Sequence, residues 1–346
     1  MTTAIGRKVT LARATPIDRL RAYEWLTQSD LSAQMLGPPL FADRAVPSFE
    51  QFCEEYLPHY FDGTRPFDGR AFLIRAEGVD IGFASHGPIN LFKDVVEVDL
   101  WLAGRRFVGR GYGSDALETV CGWLQARYGV NRFLSRPSRR NVHGLRAMRR
   151  AGFRETDLDV REVVNELSLS PGHYGDQVLM FRILPLPDAT LPVLPDHTYV
   201  FIDSEFTTLT DPRLISLGAV ATDATAFYCE LADVPADRCS EFVRSTVLPL
   251  LDGRAVSHPV AAQSFETWLA ARAAAQPTII VSDSGFDRWA MADLLGREDL
   301  PPGVRWVRVP IDYEQIDEVA SSLGLRRHHA LDDARALRHI VLNGPQ

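Results

Sequence analysis

The sequence predicts two α/β domains in tandem, and three observations carry that expectation. The chain has 346 residues, 46% of them hydrophobic and 24% charged, which is long for one domain and apolar enough for two cores. Strand-like alternation and helix-like periodicity are interleaved in each half. Between the halves runs Leu184-Pro185-Leu186-Pro187-Asp188-Ala189-Thr190-Leu191-Pro192-Val193-Leu194-Pro195-Asp196. Its prolines remove backbone donors and favour extended backbone, so neither a helix nor a central strand continues through it. The expected organisation is a first domain over 1–183, a linker over 184–197 and a second domain over 198–346.

In the first half, 8–14, 71–75, 81–86, 95–102 and 177–183 carry the alternation of strands, and 115–128 and 141–150 carry the spacing of amphipathic helices. In the second half, 199–207, 214–222 and 278–282 read as strands, and 261–274, 286–295, 313–323 and 331–342 as helices. No internal repeat relates the halves.

Composition removes several classes. Cys53, Cys121, Cys229 and Cys239 stand far apart with no metal-type spacing, which argues against a disulfide framework or structural zinc. No apolar run reaches the ~18 residues of a membrane helix, and the first residues lack the apolar stretch of a secretion signal. The expectation is a reduced, cytoplasmic protein with no membrane partner. Of the 37 basic residues only Lys8 and Lys93 are lysines, which reads as coding bias. The net charge of −8 speaks against a long phosphate-gripping surface. That deficit is uneven, because residues 198–346 hold 13 Arg, no Lys and 21 acids.

Two motif sets carry chemistry. In the first half, Val95-Val96-Glu97-Val98-Asp99-Leu100-Trp101-Leu102 places Glu97 and Asp99 on one face of a strand. Arg106-Phe107-Val108-Gly109-Arg110-Gly111-Tyr112-Gly113-Ser114 follows and opens a helix. Free amides and the positive end of a helix dipole suit a pyrophosphate. A bare strand-to-helix turn, or another nucleotide loop, fits the glycines nearly as well; the lack of a following Lys-Ser/Thr disfavours a Walker-type loop. Asp99 alone also reads as an ordinary solvated strand carboxylate, the less favoured of its two readings.

Together with Asn141-Val142-His143-Gly144-Leu145-Arg146-Ala147-Met148-Arg149-Arg150-Ala151-Gly152-Phe153, this order of elements resembles the GNAT N-acetyltransferases. Tyr23-Glu24-Trp25-Leu26 and Glu55-Tyr56-Leu57-Pro58 are similar to the branch that acetylates the 6'-amine of aminoglycosides. The resemblance implies that the amides around Val108 to Ser114, with Gly109, Gly111 and Gly113 allowing close approach, hold the pyrophosphate of acetyl-CoA. It implies added charge from Arg106 and Arg110, and Asn141 beside the pantetheine arm. Asp99 becomes the base or cation anchor for a small amine acceptor. Met148 stands where many relatives carry a Tyr thought to protonate the departing thiolate. Met has no proton to give, although a thiol can leave partly as thiolate. A sensor that binds acetyl-CoA or an antibiotic without turnover is therefore the competing expectation. His143 reads as a surface helix residue.

In the second half, Tyr199-Val200-Phe201-Ile202-Asp203-Ser204-Glu205-Phe206 puts two acids on one face of an apolar strand. Such a pair is costly unless a cation offsets it, and oxygen-only donors suit Mg²⁺ or Mn²⁺. Asp287 follows another strand, Thr278 to Ser282, at a helix start, where it could simply serve the helix dipole. Arg327-His328-His329-Ala330-Leu331-Asp332-Asp333-Ala334 completes the set.

The three pieces in this order resemble the DEDDh 3'-5' exonucleases of the ribonuclease H-like superfamily. Arg213 to Val220 and Phe242-Val243-Arg244 are similar to a small bacterial exoribonuclease branch. The resemblance implies that Asp203, Glu205, Asp287 and Asp333 hold two Mg²⁺ or Mn²⁺ ions. His328 is then the general base, and the partner is a single-stranded 3' end of RNA or DNA. Register against the Ala-Leu-x-Asp-Ala core favours His328 and Asp333 over the adjacent His329 and Asp332. Ser282-Asp283 replaces the usual His-Asn of the motif. Phe206, Phe286 and Trp289 could stack on bases, but the two phenylalanines read more readily as core. The fused halves predict a bifunctional protein; a single shared substrate, such as a charged tRNA acetylated and trimmed, is a further expectation.

Overall fold

A computed structural model describes residues 2–37, 46–170, 175–186, 191 and 193–343. Residues 187–190 and 192 of the expected linker lie outside the described residues. The chain divides into two compact units. One comprises Met1–Gln125 and Val130–Leu184, the other Ala126–Gly129 and Pro185–Gln346.

The first unit runs β1 (Thr2–Ile5), β2 (Thr10–Arg13), α1 (Asp18–Gln28), α2 (Ser32–Leu36), α3 (Phe49–Glu55), α4 (His59–Asp62), β3 (Arg70–Ala76), β4 (Val79–Asn90), β5 (Val95–Leu102), α5 (Tyr112–Tyr128), β6 (Arg132–Ser135), α6 (Val142–Arg150), β7 (Arg154–Glu155), α7 (Val160–Leu167) and β8 (Met180–Ile183). The strands form one sheet in the order β1-β2-β3-β4-β5-β6-β8-β7. Among the described residues of this unit only β5 and β6 pair in parallel, over Val95–Glu97. Beyond Glu97, β5 runs on to Leu102 while β6 ends at Ser135. The carboxyl end of β5 therefore extends past β6.

The alternation of β3 explains the two layers. Ala71 and Leu73 face a cluster with Phe52, Tyr56, Phe83 and Trp101, whereas Phe72 meets Trp123 of α5 edge-on at 5.0 Å. Helix α5 starts at Tyr112, three residues before the pattern predicts. The turn ahead of it holds Gly109 at φ 81° and Gly111 at φ 85°, a left-handed backbone that other residues adopt at a cost.

The second unit runs β9 (Thr198–Phe206), β10 (Leu214–Ala221), β11 (Ala226–Glu230), α8 (His258–Ala275), β12 (Thr278–Ser282), α9 (Gly285–Leu295), β13 (Val304–Arg308), α10 (Tyr313–Leu323) and α11 (Ala330–Asn343). Its sheet is mixed, in the order β11-β10-β9-β12-β13. β9, β10 and β11 are antiparallel, and β12 and β13 are parallel to β9. Strand β9 lies at the centre. Val200 and Ile202 bury one face against Phe265, Met291 and Leu294. Tyr199 and Phe201 bury the other against Ala334, Leu337 and Val341 of α11. Continuing the second alternation brings Asp203 and Glu205 out at the carboxyl end of the strand, where an open parallel arrangement commonly binds ligands.

Candidate functional site

In the first unit, the carboxyl end of β5 and the turn after it form one candidate site. Phe107 and Val108 close a short 3₁₀ turn, and the Val108 amide donates to the Arg105 carbonyl at 3.0 Å. The amides of Gly109 to Ser114 find no acceptor among the described residues. They are the first-turn donors that a helix leaves unpaired. The Ser114 hydroxyl donates back to the Gly111 carbonyl at 3.0 Å. Arg106 and Arg110 are exposed beside this turn.

Two residues that the sequence did not single out hold the turn. Buried Asp115 accepts from the amides of Lys8 and Val9 at 2.6 and 3.0 Å on one oxygen, and from Arg7 at 3.1 Å on the other. Lys8 Nζ then donates to the Arg110 carbonyl at 2.9 Å. Asp115 is a first-turn acid that satisfies a remote loop, and spacing alone gives no hint of that.

Asp99 lies on β5 under a lid of aromatic rings. Tyr56 donates to it at 3.4 Å, and Tyr56 itself stacks on Phe52 at 4.7 Å and meets Trp101 edge-on at 5.8 Å. Loss of water, then repulsion by Glu97 and Glu55, pushes the Asp99 carboxyl up to about 7 against the opposing Arg136 and Tyr56. Glu97 is engaged in a two-pronged ion pair with Arg136, Nε–Oε1 2.6 Å and Nη2–Oε2 2.8 Å. Of the two carboxylates on this face, Asp99 is thus the one without a cationic partner of its own. Asn141 caps α6, accepting from the Gly144 amide at 2.9 Å. Met148 is buried, 6% exposed, in the same helix, and His143 is half-buried there.

In the second unit the predicted acids converge from three elements. Asp203 and Glu205 come from β9, Asp287 from the first turn of α9 and Asp333 from the first turn of α11. Gly218 lies opposite Asp203 in the sheet. A Cβ there would stand 2.3 Å from the Leu331 amide nitrogen, so the glycine lets the start of α11 lie against the sheet. Two groups each bring ligand atoms within 4.8 Å of one another, Glu205 with His328 and Asp333, and Asp203 with Asp283 and Asp287.

The electrostatics of this site are unbalanced. Asp203 Oδ2, Asp287 Oδ2 and Asp333 Oδ1 are buried with no hydrogen-bond partner. Burial first, then the neighbouring carboxylates, pushes Asp203 and Asp287 well above the usual carboxylate range and Glu205 up to about 8. Orphaned carboxylate oxygens in an oxygen-rich cluster fit a divalent cation. The Ser204 hydroxyl holds the other oxygen of Asp287 at 2.7 Å.

His328 sits at φ 64°, a strained conformation for this residue, and its amide donates to Asp333 at 2.9 Å. Burial, then Arg327, lowers its pKa. His329 and Asp332 turn into a separate network. Asp332 accepts from Arg326 and Arg335, each at 2.7 Å, and the His329 ring lies 3.0 Å from Arg326. Phe206 and Phe286 stack on each other at 4.4 Å, and Trp289 meets Phe206 edge-on at 6.5 Å; Phe286 is buried.

Residues 8–154 match the family described as acetyltransferase (GNAT) domain, so the first unit contains a GNAT acetyltransferase domain. The match ends at residue 154 and covers nothing from Pro185 onward. No curated protein matches the chain significantly. Among solved structures, AAC(6')-Ib with acetyl-CoA and paromomycin is 21% identical, covers 51% of this chain and 93% of its own, and has a TM-score of 0.39. AAC(6')-Ib with coenzyme A and kanamycin is 21% identical over 51% of this chain and 94% of its own, TM-score 0.38. RimL, a ribosomal alpha-N-protein acetyltransferase with coenzyme A, is 17% identical over 53% of this chain and 98% of its own, TM-score 0.39. Among the described residues no helix is long and apolar enough to cross a membrane.

Proposed function

We propose that the chain carries two enzymes, an acetyl-CoA-dependent N-acetyltransferase and a divalent-cation-dependent 3'-5' exonuclease. For the first, the supporting observation is a turn of unpaired amides at Gly109 to Ser114 following a strand that carries, at Asp99, a half-buried carboxylate with no cationic partner of its own. The amides and Arg106 and Arg110 bind the pyrophosphate. Asp99 binds the acceptor as an ammonium and takes the proton that the nitrogen must lose before it attacks the acetyl carbon. Asp99, which has no cationic partner of its own, suits an amine acceptor, and an aminoglycoside is of that class.

Met148 has no proton to give, so a general-acid role at this position is excluded and the thiol leaves at least partly as thiolate. That feature supports the competing role of an acetyl-CoA or antibiotic sensor. Thiol release with a panel of aminoglycosides and simple amines separates the two. Turnover that disappears in Asp99→Asn supports the transferase, whereas CoA binding without turnover on any amine supports the sensor. Gly111→Val tests the turn, because φ 85° excludes a branched residue without strain; unchanged CoA affinity by calorimetry would overturn the pyrophosphate assignment.

For the second unit, the observation that carries the reading is the three orphaned carboxylate oxygens at the carboxyl end of the central strand. The sheet order, with three antiparallel strands followed by two parallel ones, supports a ribonuclease H-like fold. Asp203, Glu205, Asp287 and Asp333 hold the cations. Such ions, when bound, supply charge that offsets a scissile phosphate and acidify water. His328, kept neutral near pH 7 by its lowered pKa, accepts a proton from the attacking water. The substrate is the 3' end of single-stranded RNA or DNA. End-labelled RNA and DNA incubated with Mg²⁺ or EDTA test this. Release of 3' mononucleotides that needs Mg²⁺ and is lost in Asp203→Ala is expected; full activity in that variant would sink the assignment.

A further inference from the structure

The acidic cluster of the second unit contains one carboxylate more than the exonuclease reading uses. Asp283 follows β12 directly, in the loop that leads into α9. One of its carboxylate oxygens lies within 4.8 Å of oxygens of Asp203 and Asp287. The loop is held in place from behind, because Arg308 Nε donates to the Asp283 carbonyl at 3.0 Å and Ser282 Oγ donates to the Ser284 carbonyl at 3.0 Å. Asp287 is 1% exposed. One of its oxygens is taken by Ser204, and the other is buried without a partner, as is Oδ2 of Asp203. Three carboxylates at this spacing repel one another, and two of them present oxygens that nothing in the protein satisfies.

We infer that Asp283 is a ligand of a divalent cation, completing with Asp203 and Asp287 an all-oxygen site separate from the one formed by Glu205 and Asp333. This rests on the cation-dependent reading of the second unit and adds a residue to it. An all-carboxylate site suits hard cations, Mg²⁺, Mn²⁺ or Ca²⁺. Asp283 thus contributes to one of the two sites and not to the other.

The test is calorimetric titration of the full-length protein with Mn²⁺, wild type against Asp283→Asn, with melting curves in EDTA and in excess Mn²⁺. Asn keeps the size of the side chain and removes its charge. Two binding events are expected in the wild type. In the variant one event weakens at least tenfold and the other is unchanged. Its melting temperature in EDTA rises, because a repulsive charge is gone, while the increment given by Mn²⁺ shrinks. A bystander acid would instead shift both melting curves equally and leave both affinities intact, which overturns the inference. Asp203→Ala is the control for the underlying reading. If it abolishes Mn²⁺ binding while Asp283→Asn leaves it unchanged, only the role of Asp283 fails. If the wild type binds no Mn²⁺, both fail. Mn²⁺ binding altered as expected but without nucleotide release from any single strand leaves Asp283 a ligand and overturns the nuclease reading alone.

Discussion

Nη1 of Arg327 lies 2.5 Å from Oδ2 of Asp333, the same oxygen that accepts the His328 amide at 2.9 Å. Arg327 is anchored in turn by Asp317, Nε to Oδ1 at 2.5 Å. One oxygen of Asp333 is thus fixed and the other is left buried and unpaired. The guanidinium orients the carboxylate, yet it also repels any cation that binds there. On a ligand carboxylate that repulsion is on the order of several kcal/mol at an effective dielectric constant of about 20. It outweighs the roughly 1 kcal/mol of side-chain freedom that Arg327 removes from Asp333. Arg327→Met is therefore expected to bind Mn²⁺ more tightly by at least about tenfold, to be less stable in EDTA by about 2 kcal/mol, and to turn over more slowly as the His328 loop loosens. Weaker Mn²⁺ binding would show that orientation dominates.

The carboxylate cluster also sets a pH dependence. Asp203, Glu205, Asp283, Asp287 and Asp333 all have folded-state pKa values raised above the usual carboxylate range, Glu205 to about 8. Over the window between the unfolded and folded values the folded state binds more protons, so stability falls as pH rises. In EDTA the melting temperature of the second unit is expected to be highest near pH 5 and to decline through about pH 8. Saturating Mg²⁺ binds the ionised form and should flatten or reverse that slope. A slope that Mg²⁺ does not change would mean that the cluster binds no cation.

Gly218 makes a prediction about assembly of the same site. Its missing Cβ would lie 2.3 Å from the Leu331 amide nitrogen and 2.4 Å from the Ala330 carbonyl carbon, and backbone cannot yield as a side-chain tip can. Gly218→Ala should cost about 1–3 kcal/mol through overpacking. Because α11 must move away from β10, the variant should also lose Mn²⁺ affinity at the group that contains Asp333. A variant that is destabilised yet binds Mn²⁺ normally would show that the helix shift does not reach the acids.

Sequence and structure agree best where period and chemistry coincide. Strand β9 is legible because apolar alternation ends in two acids, and α11 because Asp333 follows His328 at a fixed distance. The glycine turn is legible because φ above zero needs glycine. The roles of Asp115 and Arg136 were not legible, since each depends on a partner brought close only by folding, the Arg7–Val9 turn for one and Glu97 for the other. Strands β1, β6, β7, β11 and β13 also lie outside the strands that the pattern predicts. β13 reads Val304-Arg305-Trp306-Val307-Arg308, a short run in which arginines dilute the apolar signal that marks a strand. Helices α1 to α4 carry weak periodicity, and α2 and α4 are only 5 and 4 residues long. Their placement follows from aromatic packing around Phe52 and Tyr56, which no local pattern encodes.

Asp99 offers the sharpest test of the first unit. Its pKa of about 7 is raised by burial and by Glu97 and Glu55, so near neutral pH the carboxyl is partly protonated and cannot act fully as a base. Acetyl transfer to an amine is expected to accelerate with pH, with an inflection near 7. In Asp99→Asn the inflection should vanish and the rate fall by roughly 10²–10⁴-fold, the range of a lost general base. Tyr56→Phe removes the hydroxyl that donates to Asp99 at 3.4 Å. That bond favours the ionised form, so its loss should move the inflection upward while leaving the plateau rate near that of the wild type. Stability supplies an independent readout. A raised carboxyl costs the folded state stability above its pKa, so Asp99→Asn should raise the melting temperature of the first unit at pH 8 and not at pH 4. A variant equally stabilised at both pH values, with an unaltered rate profile, would reduce Asp99 to an ordinary strand carboxylate.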